Sequence, residues 1–184
     1  MEPSVGSKWL QLLKEIAPGV TRVAVVFNPE SLAGNGFLGA LEAAAERFGV
    51  KVSILPIHDP AELLAAIETF SRQPNGGLIQ VPDGFSPAHR SLYAEATAHH
   101  RLPAIYASRV FTDAGGLISY SVDYVEEYRQ AAAYVNRILR GETPAELPVQ
   151  QPTKLELVIN LKTAEALGLT IPETLLATAD EVIQ

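Results

Sequence analysis

The sequence predicts an α/β fold in which a parallel sheet is flanked by helices. Short runs of β-branched residues alternate along the chain with segments whose apolar residues recur at helical spacing, which is typical of βαβ units. The run from Arg22 to Phe27 is almost unbroken in its apolar character, as expected for a strand covered on both faces. With 184 residues, the chain has the length of one domain or slightly more.

The first half of the chain predicts three strands and the helices that connect them. Trp9 and Ile16 share one helical stripe with the two leucines between them, and the pair Pro18-Gly19 ends that helix. Asp59 before Pro60, with a glutamate three positions after the aspartate, is typical of a capped helix start. The predicted ranges are helix 7–16, strand 22–27, helix 36–48, strand 51–57, a helix that begins at 60 and is broken at 74–77, and strand 77–81.

The second half predicts further strands, a long helix and an extended connector. Apolar residues from Tyr128 to Leu139 recur on one face of the long helix, and Gly141 ends it. Prolines at 144, 148 and 152 then predict an extended connector. The predicted ranges are a helix from the loop 82–87 to about 100, strands 103–106 and 115–120, helix 123–140, strand 154–160, a short helix ended by Gly168, and a last helix opened by Pro172.

Composition excludes several classes of protein. The 14 Lys and Arg against 21 Asp and Glu give a net charge of −7, which argues against nucleic acid as a partner because nucleic-acid binders concentrate basic side chains. Every apolar run is far shorter than the ~20 residues that span a bilayer. The chain has no cysteine, so it has no disulfide and no thiol nucleophile, and the compartment stays open. Residues 1–4 begin no signal-peptide pattern, so we expect no signal peptide in this sequence.

The stretch from Gly34 to Gly39 matches the G-x-G-x-x-G fingerprint of dinucleotide-binding proteins, with Asp59 twenty residues later. In that fingerprint the first glycine turns directly off the strand, so that N–H groups of the helix reach the pyrophosphate. Here residues 28–33 separate the glycines from the strand. We therefore interpret the stretch as a glycine-rich loop and Asp59 as a helix cap, and we keep a nucleotide-binding enzyme as the less favoured alternative.

No catalytic or metal-binding pattern is apparent. The four histidines lack the i, i+4 spacing that aims two imidazoles at one metal. No serine lies in the G-x-S-x-G pattern of a nucleophile elbow. We therefore expect no catalytic residue, no metal and no cofactor.

Polar side chains follow the predicted strands, and these are the candidate ligand-binding residues. In a parallel α/β sheet the ligand crevice lies outside the carboxyl ends of the strands. The side chains at those ends are suited to hydrogen bonding and stacking on a small polar or aromatic solute. The candidates are Asn28, Ser31, Asp83, Tyr106, Ser108, Ser119 and Tyr120.

Five stretches of the chain carry a resemblance to a known family: residues 7–20, 27–29, 102–106, 114–120 and, most specifically, 147–169. They resemble the ABC transporter substrate-binding protein family, in the branch of tryptophan- and tyrosine-type binders. The resemblance implies a type I periplasmic binding protein fold, whose two α/β lobes close on a solute and present it to a membrane permease. It implies binding of a small solute such as an amino acid for transport by an ABC importer, without catalysis.

The resemblance covers one lobe and a tail. Residues 1–121 resemble the second, ligand-binding lobe, and residues 122–184 resemble a helix-strand-helix tail that in relatives returns to the first lobe. It implies a signal sequence and a first lobe ahead of this segment, so we expect a fragment of a protein whose intact form is periplasmic or lipid-anchored outside the cytoplasm.

A lobe without its neighbour has two expected consequences. Helix 123–140 and strand 154–160 should lack some of their usual sheet neighbours, which leaves an apolar surface and an unpaired strand edge. We therefore expect a homodimer, in one form with exchanged tails. Half a cleft should also bind solute much more weakly than an intact relative does.

A second hypothesis is an effector-binding regulatory domain, because the same two-lobed fold serves transcription regulators. That hypothesis requires a helix-turn-helix upstream of Ser7. The sequence does not identify the solute, although Tyr106 and Tyr120 favour an aromatic or apolar amino acid.

Overall fold

The structure, a computed structural model, describes residues 4–150 and 154–184, without the side chains of residues 32–35. Part of the predicted proline connector and the N-terminal residues used in the signal-peptide prediction lie outside the described residues. The helices are α1 Val5–Ile16, α2 Leu32–Ala45, α3 Pro60–Ser71, α4 Arg90–His99, α5 Arg109–Asp113, α6 Tyr124–Leu139, α7 Leu161–Ala166 and α8 Glu173–Leu176. The strands are β1 Arg22–Phe27, β2 Lys51–Pro56, β3 Gly76–Gln80, β4 Ala104–Tyr106, β5 Ile118–Val122, β6 Leu155–Asn160 and β7 Glu181–Ile183.

Within the described residues, the seven strands form one sheet in the order β2-β1-β3-β4-β5-β6-β7. The first five strands run parallel to their neighbours, β6 is antiparallel to β5, and β7 is parallel to β6. The predicted α/β architecture, a parallel sheet flanked by helices, is therefore confirmed, with two reversed strands added at one edge.

The predicted bounds of the helices and strands agree best with the structure where an apolar run ends at a turn-forming residue. β1 has the predicted bounds, and α3 begins after its predicted cap, Asp59, whose carboxylate accepts a hydrogen bond from the Glu62 amide at 2.8 Å. The structure adds α5 and β7, which the sequence analysis missed, and the predicted last helix is a single turn. In the described residues, no helix has both the length and the apolar character needed to cross a membrane.

The core lies on both faces of the sheet because successive strand residues point to opposite sides. In β1, Val23 and Val25 face the cluster formed with α1 and α2, whereas Ala24 and Val26 face the cluster formed with α3 and α4. Trp9 of α1 is fully buried, and its indole N–H donates to the Tyr120 carbonyl oxygen at 2.6 Å. This contact fixes α1 against β5.

The turn into β5 depends on a glycine without room for a side chain. A Cβ at Gly116 would lie 2.6 Å from Cε2 of Tyr106 and 2.8 Å from the carbonyl oxygen of Phe111. We expect Gly116→Ala to lower the free energy of unfolding by roughly 1–3 kcal/mol through overpacking, as measured by urea unfolding. Gly39→Ala is the matched control: its Cβ meets nothing within 4 Å, so it should be stabilising by up to about 1 kcal/mol in α2. Equal effects of the two substitutions would contradict this interpretation.

The tail returns to the sheet instead of leaving it. β6 pairs with β5 in an antiparallel register that matches Tyr120 with Leu157, and β7 covers its other side with Val158 opposite Glu181. The prediction of an unpaired edge on strand 154–160 is therefore wrong, because both edges of β6 are hydrogen-bonded. The sheet thus continues beyond residue 121, the boundary predicted for the lobe.

The helix α6 lies outside these layers. α6 has no buried residue, so the expected apolar surface on this helix is confirmed. Its N-cap, Asp123, accepts hydrogen bonds from the Lys154 ammonium at 2.9 Å and from the Glu126 amide at 3.1 Å. These bonds, the one from Lys154 foremost, hold the pKa of the Asp123 carboxyl below its usual value. The N-terminus of α6 is therefore held next to the start of β6.

Candidate functional site

The strand order puts a crevice at the carboxyl ends of β1 and β3. From β1 the chain passes to β2 on one side, and then to β3 on the other, so β1 and β3 flank the point where the order reverses. Ligands of open α/β sheets bind at such a switch point, because the loops on its two sides diverge and leave a gap. Asn28 follows β1 and Asp83 follows β3, so the structure brings together two of the candidate residues at this crevice.

The carboxylate of Asp83 joins the two loops. Its Oδ2 accepts a hydrogen bond from the Asn28 amide at 2.9 Å and one from the Ser86 hydroxyl at 2.7 Å. Its Oδ1 accepts hydrogen bonds from the Phe85 and Ser86 amides at 2.9 and 2.6 Å. Four donors use about all the lone-pair directions of a carboxylate. Asp83 is therefore a positioning residue of the crevice, with no acceptor left over for a ligand.

A buried hydroxyl chain supports this carboxylate from below. Ser86 is fully buried, and its hydroxyl lies 2.8 Å from the hydroxyl of Tyr93, which is buried as well. Burial raises the pKa of Tyr93 well above its usual range, so the phenol stays neutral. These hydrogen bonds among Asp83, Ser86 and Tyr93 tie the loop after β3 to α4.

A cavity of about 460 Å³ lies next to the loops that Asp83 holds together. A volume of this size accommodates a small metabolite. Its wall combines an amide, a carboxylate, a hydroxyl, an imidazole and an aromatic ring. The lining residues are Asn28, Glu30, Ser31, His58, Gly84 and Phe85.

Neighbouring groups hold the polar and aromatic lining side chains. The Asn28 side-chain oxygen accepts a hydrogen bond from the Glu30 amide at 2.8 Å. The ring of Phe85 stacks on His89 with 4.1 Å between centroids. The backbone amide and ring of His58 both contact the Glu62 carboxylate, the ring at 2.9 Å, and these hydrogen bonds lower the pKa of Glu62. Hydrogen bonds or ring stacking therefore hold three of the lining side chains in place, those of Asn28, His58 and Phe85.

Two of the predicted ligand-binding residues lie in the core instead. Tyr106 is fully buried, stacks on Phe111 and forms a hydrogen bond of 2.9 Å with Thr97. Ser119 is also fully buried, and its hydroxyl lies 3.2 Å from that of Thr112. Both side chains point to the face of the sheet that α4 and α5 cover. Their side chains therefore do not reach the crevice.

Ser108 and Tyr120 are not among the residues that line this cavity. Ser108 precedes α5, beside Arg109, whose guanidinium is held by Glu156 at 2.8 Å and Glu181 at 2.9 Å. Tyr120 lines a second cavity, of about 440 Å³, between α1 and α8. Burial raises the pKa of Tyr120, with a smaller contribution from Asp180.

The sequence analysis did not single out Glu30, His58, Gly84 and Phe85 as ligand-binding residues. Glu30 follows β1 as Asn28 does, Gly84 and Phe85 follow β3 as Asp83 does, and His58 follows β2, so their position along the chain carried a signal. What the sequence lacked was the strand order, which makes the ends of β1, β2 and β3 neighbours. In the described part of the chain, no cluster of three or more His, Asp or Glu side chains could hold a metal ion.

The predicted glycine-rich loop is a helix. α2 begins at Leu32, so Gly36 and Gly39 lie within it, and its first turn starts four residues before Gly36. The side chain of Asn35 lies outside the described residues. The tight turn of the dinucleotide fingerprint would place glycine between strand and helix, and here Asn28 to Ser31 occupy that position. The structure therefore corrects the loop interpretation and removes the support for the nucleotide-binding alternative.

An open, mostly parallel sheet with a polar crevice at its switch point is typical of α/β domains that bind small molecules. Comparison with family models then identifies the family. The model described as ABC transporter substrate binding protein matches residues 4–183, and the chain belongs to that family. Comparison with curated proteins finds no match.

Several solved structures share this fold. An ABC domain from Streptococcus pneumoniae, in complex with L-Trp, matches with a TM-score of 0.85 and 21% identity, over 97% of this chain and 62% of that one. A conserved domain protein from Vibrio cholerae matches with a TM-score of 0.85 and 28% identity, over 96% and 60%. The open, ligand-free substrate binding protein CD0873 from Clostridium difficile matches with a TM-score of 0.71 and 21% identity, over 96% and 59%. The chain thus spans about three fifths of the length of these structures.

Proposed function

We propose that this chain provides one half of the solute-binding cleft of an ABC importer. The observation that carries the proposal is the crevice at the β1–β3 switch point, with its cavity of about 460 Å³ above the Asp83 hydrogen-bond network. Membership of the ABC transporter substrate-binding family supports transport over the regulatory alternative. The proposed role is binding without catalysis.

The chemistry of the mouth fits a small zwitterion with an apolar part. Glu30 supplies a carboxylate for an ammonium group, and Ser31 supplies a hydroxyl next to the N-terminus of α2, where N–H groups favour an anion. The ring of Phe85 offers an apolar wall. These three features match the parts of an amino acid. The L-Trp complex of the similar Streptococcus pneumoniae domain makes aromatic amino acids the first compounds to test.

The remaining contacts would come from a second lobe that closes over this mouth and from a membrane permease that accepts the solute. We propose that the intact protein works outside the cytoplasm, as importer components of this kind must to meet their solute. Since one lobe supplies half the contacts and no closure, its affinity should be low, with a dissociation constant on the order of 1 mM.

Ligand-observed NMR with the standard amino acids tests this proposal. We expect weak, saturable binding of at least one of them, weakened several-fold by Phe85→Ala and by Ser31→Ala because each removes a wall of the cavity. Thr174→Ala is the matched control, since Thr174 lines the second cavity between α1 and α8. Binding that Thr174→Ala weakens and Phe85→Ala leaves unchanged would refute the proposed site.

A further inference from the structure

A third cavity, of about 330 Å³, lies at the end of the sheet opposite to the solute crevice, and we call it the distal cavity. Its lining includes Gly76, the first residue of β3, and Val20 and Pro103, which come shortly before β1 and β4. The chain leaves the sheet for α6 after Val122 and rejoins it at Leu155, at the other end of these parallel strands. The distal cavity is therefore separate from the crevice and from α6.

Two basic side chains hold the loops that form the distal cavity. The Lys14 ammonium donates hydrogen bonds to the carbonyl oxygens of Pro18 and Val20 at 2.8 and 2.7 Å. The Arg22 guanidinium donates to the carbonyl oxygen of Gln73 at 3.0 Å. A carbonyl oxygen that accepts a hydrogen bond from a cation repels an anion less, because the cation compensates its partial negative charge. The two loops are thus fixed in place, and their carbonyl groups are compatible with an anionic ligand.

The distal cavity is lined by a basic side chain and, in the described residues, by no carboxylate. The chain has 21 Asp and Glu, yet none of those that the structure describes is part of the lining. Arg101 lines the cavity, and its guanidinium forms no ion pair within the described chain. His100 lines it as well, with its Nδ1 atom 3.0 Å from the Ser71 hydroxyl. An unpaired guanidinium is well suited to a carboxylate, which it binds through two parallel hydrogen bonds.

The backbone conformation of Arg101 also points to a role for its side chain. Arg101 follows α4 with a φ of 52°, and its amide donates a hydrogen bond to the Ala98 carbonyl oxygen at 3.1 Å. Glycine is the usual residue at such a left-handed position after a helix, because a Cβ is sterically unfavourable there. Ending the helix therefore does not explain an arginine at this position, whereas contact with a ligand does.

Leucine side chains form the apolar part of the distal cavity. Leu102 is buried, and Leu167 and Leu169, which follow α7, are partly buried. Apolar surface beside a free guanidinium fits a ligand that has both a carboxylate and a short hydrocarbon part. A volume of about 330 Å³ is near the lower end of the range for ligand pockets, so the ligand should be small.

We propose that the distal cavity binds a small aliphatic carboxylate, with its charged group at Arg101 and its hydrocarbon part against the leucines. The site is separate from the solute crevice and does not depend on the proposed transport function. A ligand of about seven non-hydrogen atoms gains little binding free energy in total, so we expect a dissociation constant on the order of 5 mM.

Titration with sodium isovalerate from roughly 0.5 to 50 mM, at constant ionic strength and followed by backbone amide shifts, tests the proposal. We expect saturable shifts that are largest at Gly19, Asn75, Gly76 and Arg101. Isovaleramide has nearly the same shape without the charge, and acetate has the charge without the hydrocarbon part, so each should bind roughly fivefold more weakly or less. Shifts that do not saturate, shifts confined to the solute crevice, or equal binding of isovaleramide would overturn the proposal.

Variants of Arg101 separate ligand binding from folding. Arg101→Gln should weaken isovalerate binding by roughly fivefold or more. Arg72→Gln is the matched control, since it removes the same charge from an arginine that pairs with Glu68 at 3.1 Å, and it should leave binding unchanged. Arg101→Gly should weaken binding as well, but with an unchanged or higher urea midpoint, because glycine adopts this φ without strain. Equal weakening by Arg72→Gln, or a lower midpoint for Arg101→Gly, would contradict the role of Arg101 as a ligand contact.

Discussion

Trp9→Ala is expected to lower the free energy of unfolding by about 4 kcal/mol, the largest effect that we predict for one substitution. The indole is fully buried between α1 and the sheet, with its ring 5.0 Å from that of Phe37. Alanine would leave a cavity where the indole stood and would strand the Tyr120 carbonyl, which accepts the indole N–H in the native chain. Urea unfolding followed by circular dichroism measures this change.

Trp9→Phe separates packing from hydrogen bonding. Phenylalanine retains most of the buried ring and loses the N–H donor, so we expect a loss of about 1–2 kcal/mol. Leu64→Ala controls for an exposed apolar residue and should stay within about 0.5 kcal/mol of the parent chain. A loss below about 1 kcal/mol for Trp9→Ala would contradict the packing described for α1.

Asp83→Ala is expected to lower the free energy of unfolding by roughly 3 kcal/mol and to abolish solute binding. The substitution removes the acceptor for three backbone amides and one hydroxyl, and it leaves the fully buried Ser86 without this partner. Hydrogen bonds to a carboxylate each contribute more than neutral ones, so their joint loss has a large effect. Since Asp83 positions the loops after β1 and β3, the cavity between them should lose its shape.

Asp59→Ala is the matched control for this prediction. Asp59 is also an aspartate in a loop after a strand, but as the N-cap of α3 it accepts one amide hydrogen bond from Glu62. Its replacement should cost about 1 kcal/mol and leave solute binding unchanged. Unfolding by urea measures stability for both variants, and titration with the bound amino acid measures affinity. Equal losses of stability and affinity for the two variants would contradict the role of Asp83 in positioning the loops after β1 and β3.

Much of the fold could be predicted because local patterns and global packing agree in this chain. β1 has the predicted bounds because an apolar run stops at Asn28-Pro29. The strand β7 has three residues and the helix α5 has five, too few for a repeated hydrophobic pattern to predict either element. The antiparallel pairing of β6 with β5 could not be predicted from local sequence patterns either, because contacts between distant segments decide which strands pair.

The residues of the candidate site were predicted less completely than the fold. The sequence indicates which residues end each strand, but it does not say which face a side chain takes or which strands are neighbours. Tyr106 ends β4 and points into the core, together with Ala104 on the same face. Asn28 and Asp83 were correctly expected near one edge of the sheet. Their direct contact follows only from the neighbouring positions of β1 and β3.

The location of a bound solute decides whether the mouth between β1 and β3 is the binding site. Backbone amide shifts can be followed in a two-dimensional NMR spectrum of the labelled chain during titration with an amino acid that binds. We expect the largest shifts around this mouth, at Asn28, Ser31, Gly84 and Phe85. Shifts confined to the cavity between α1 and α8, which Lys8 and Thr174 line, would contradict it.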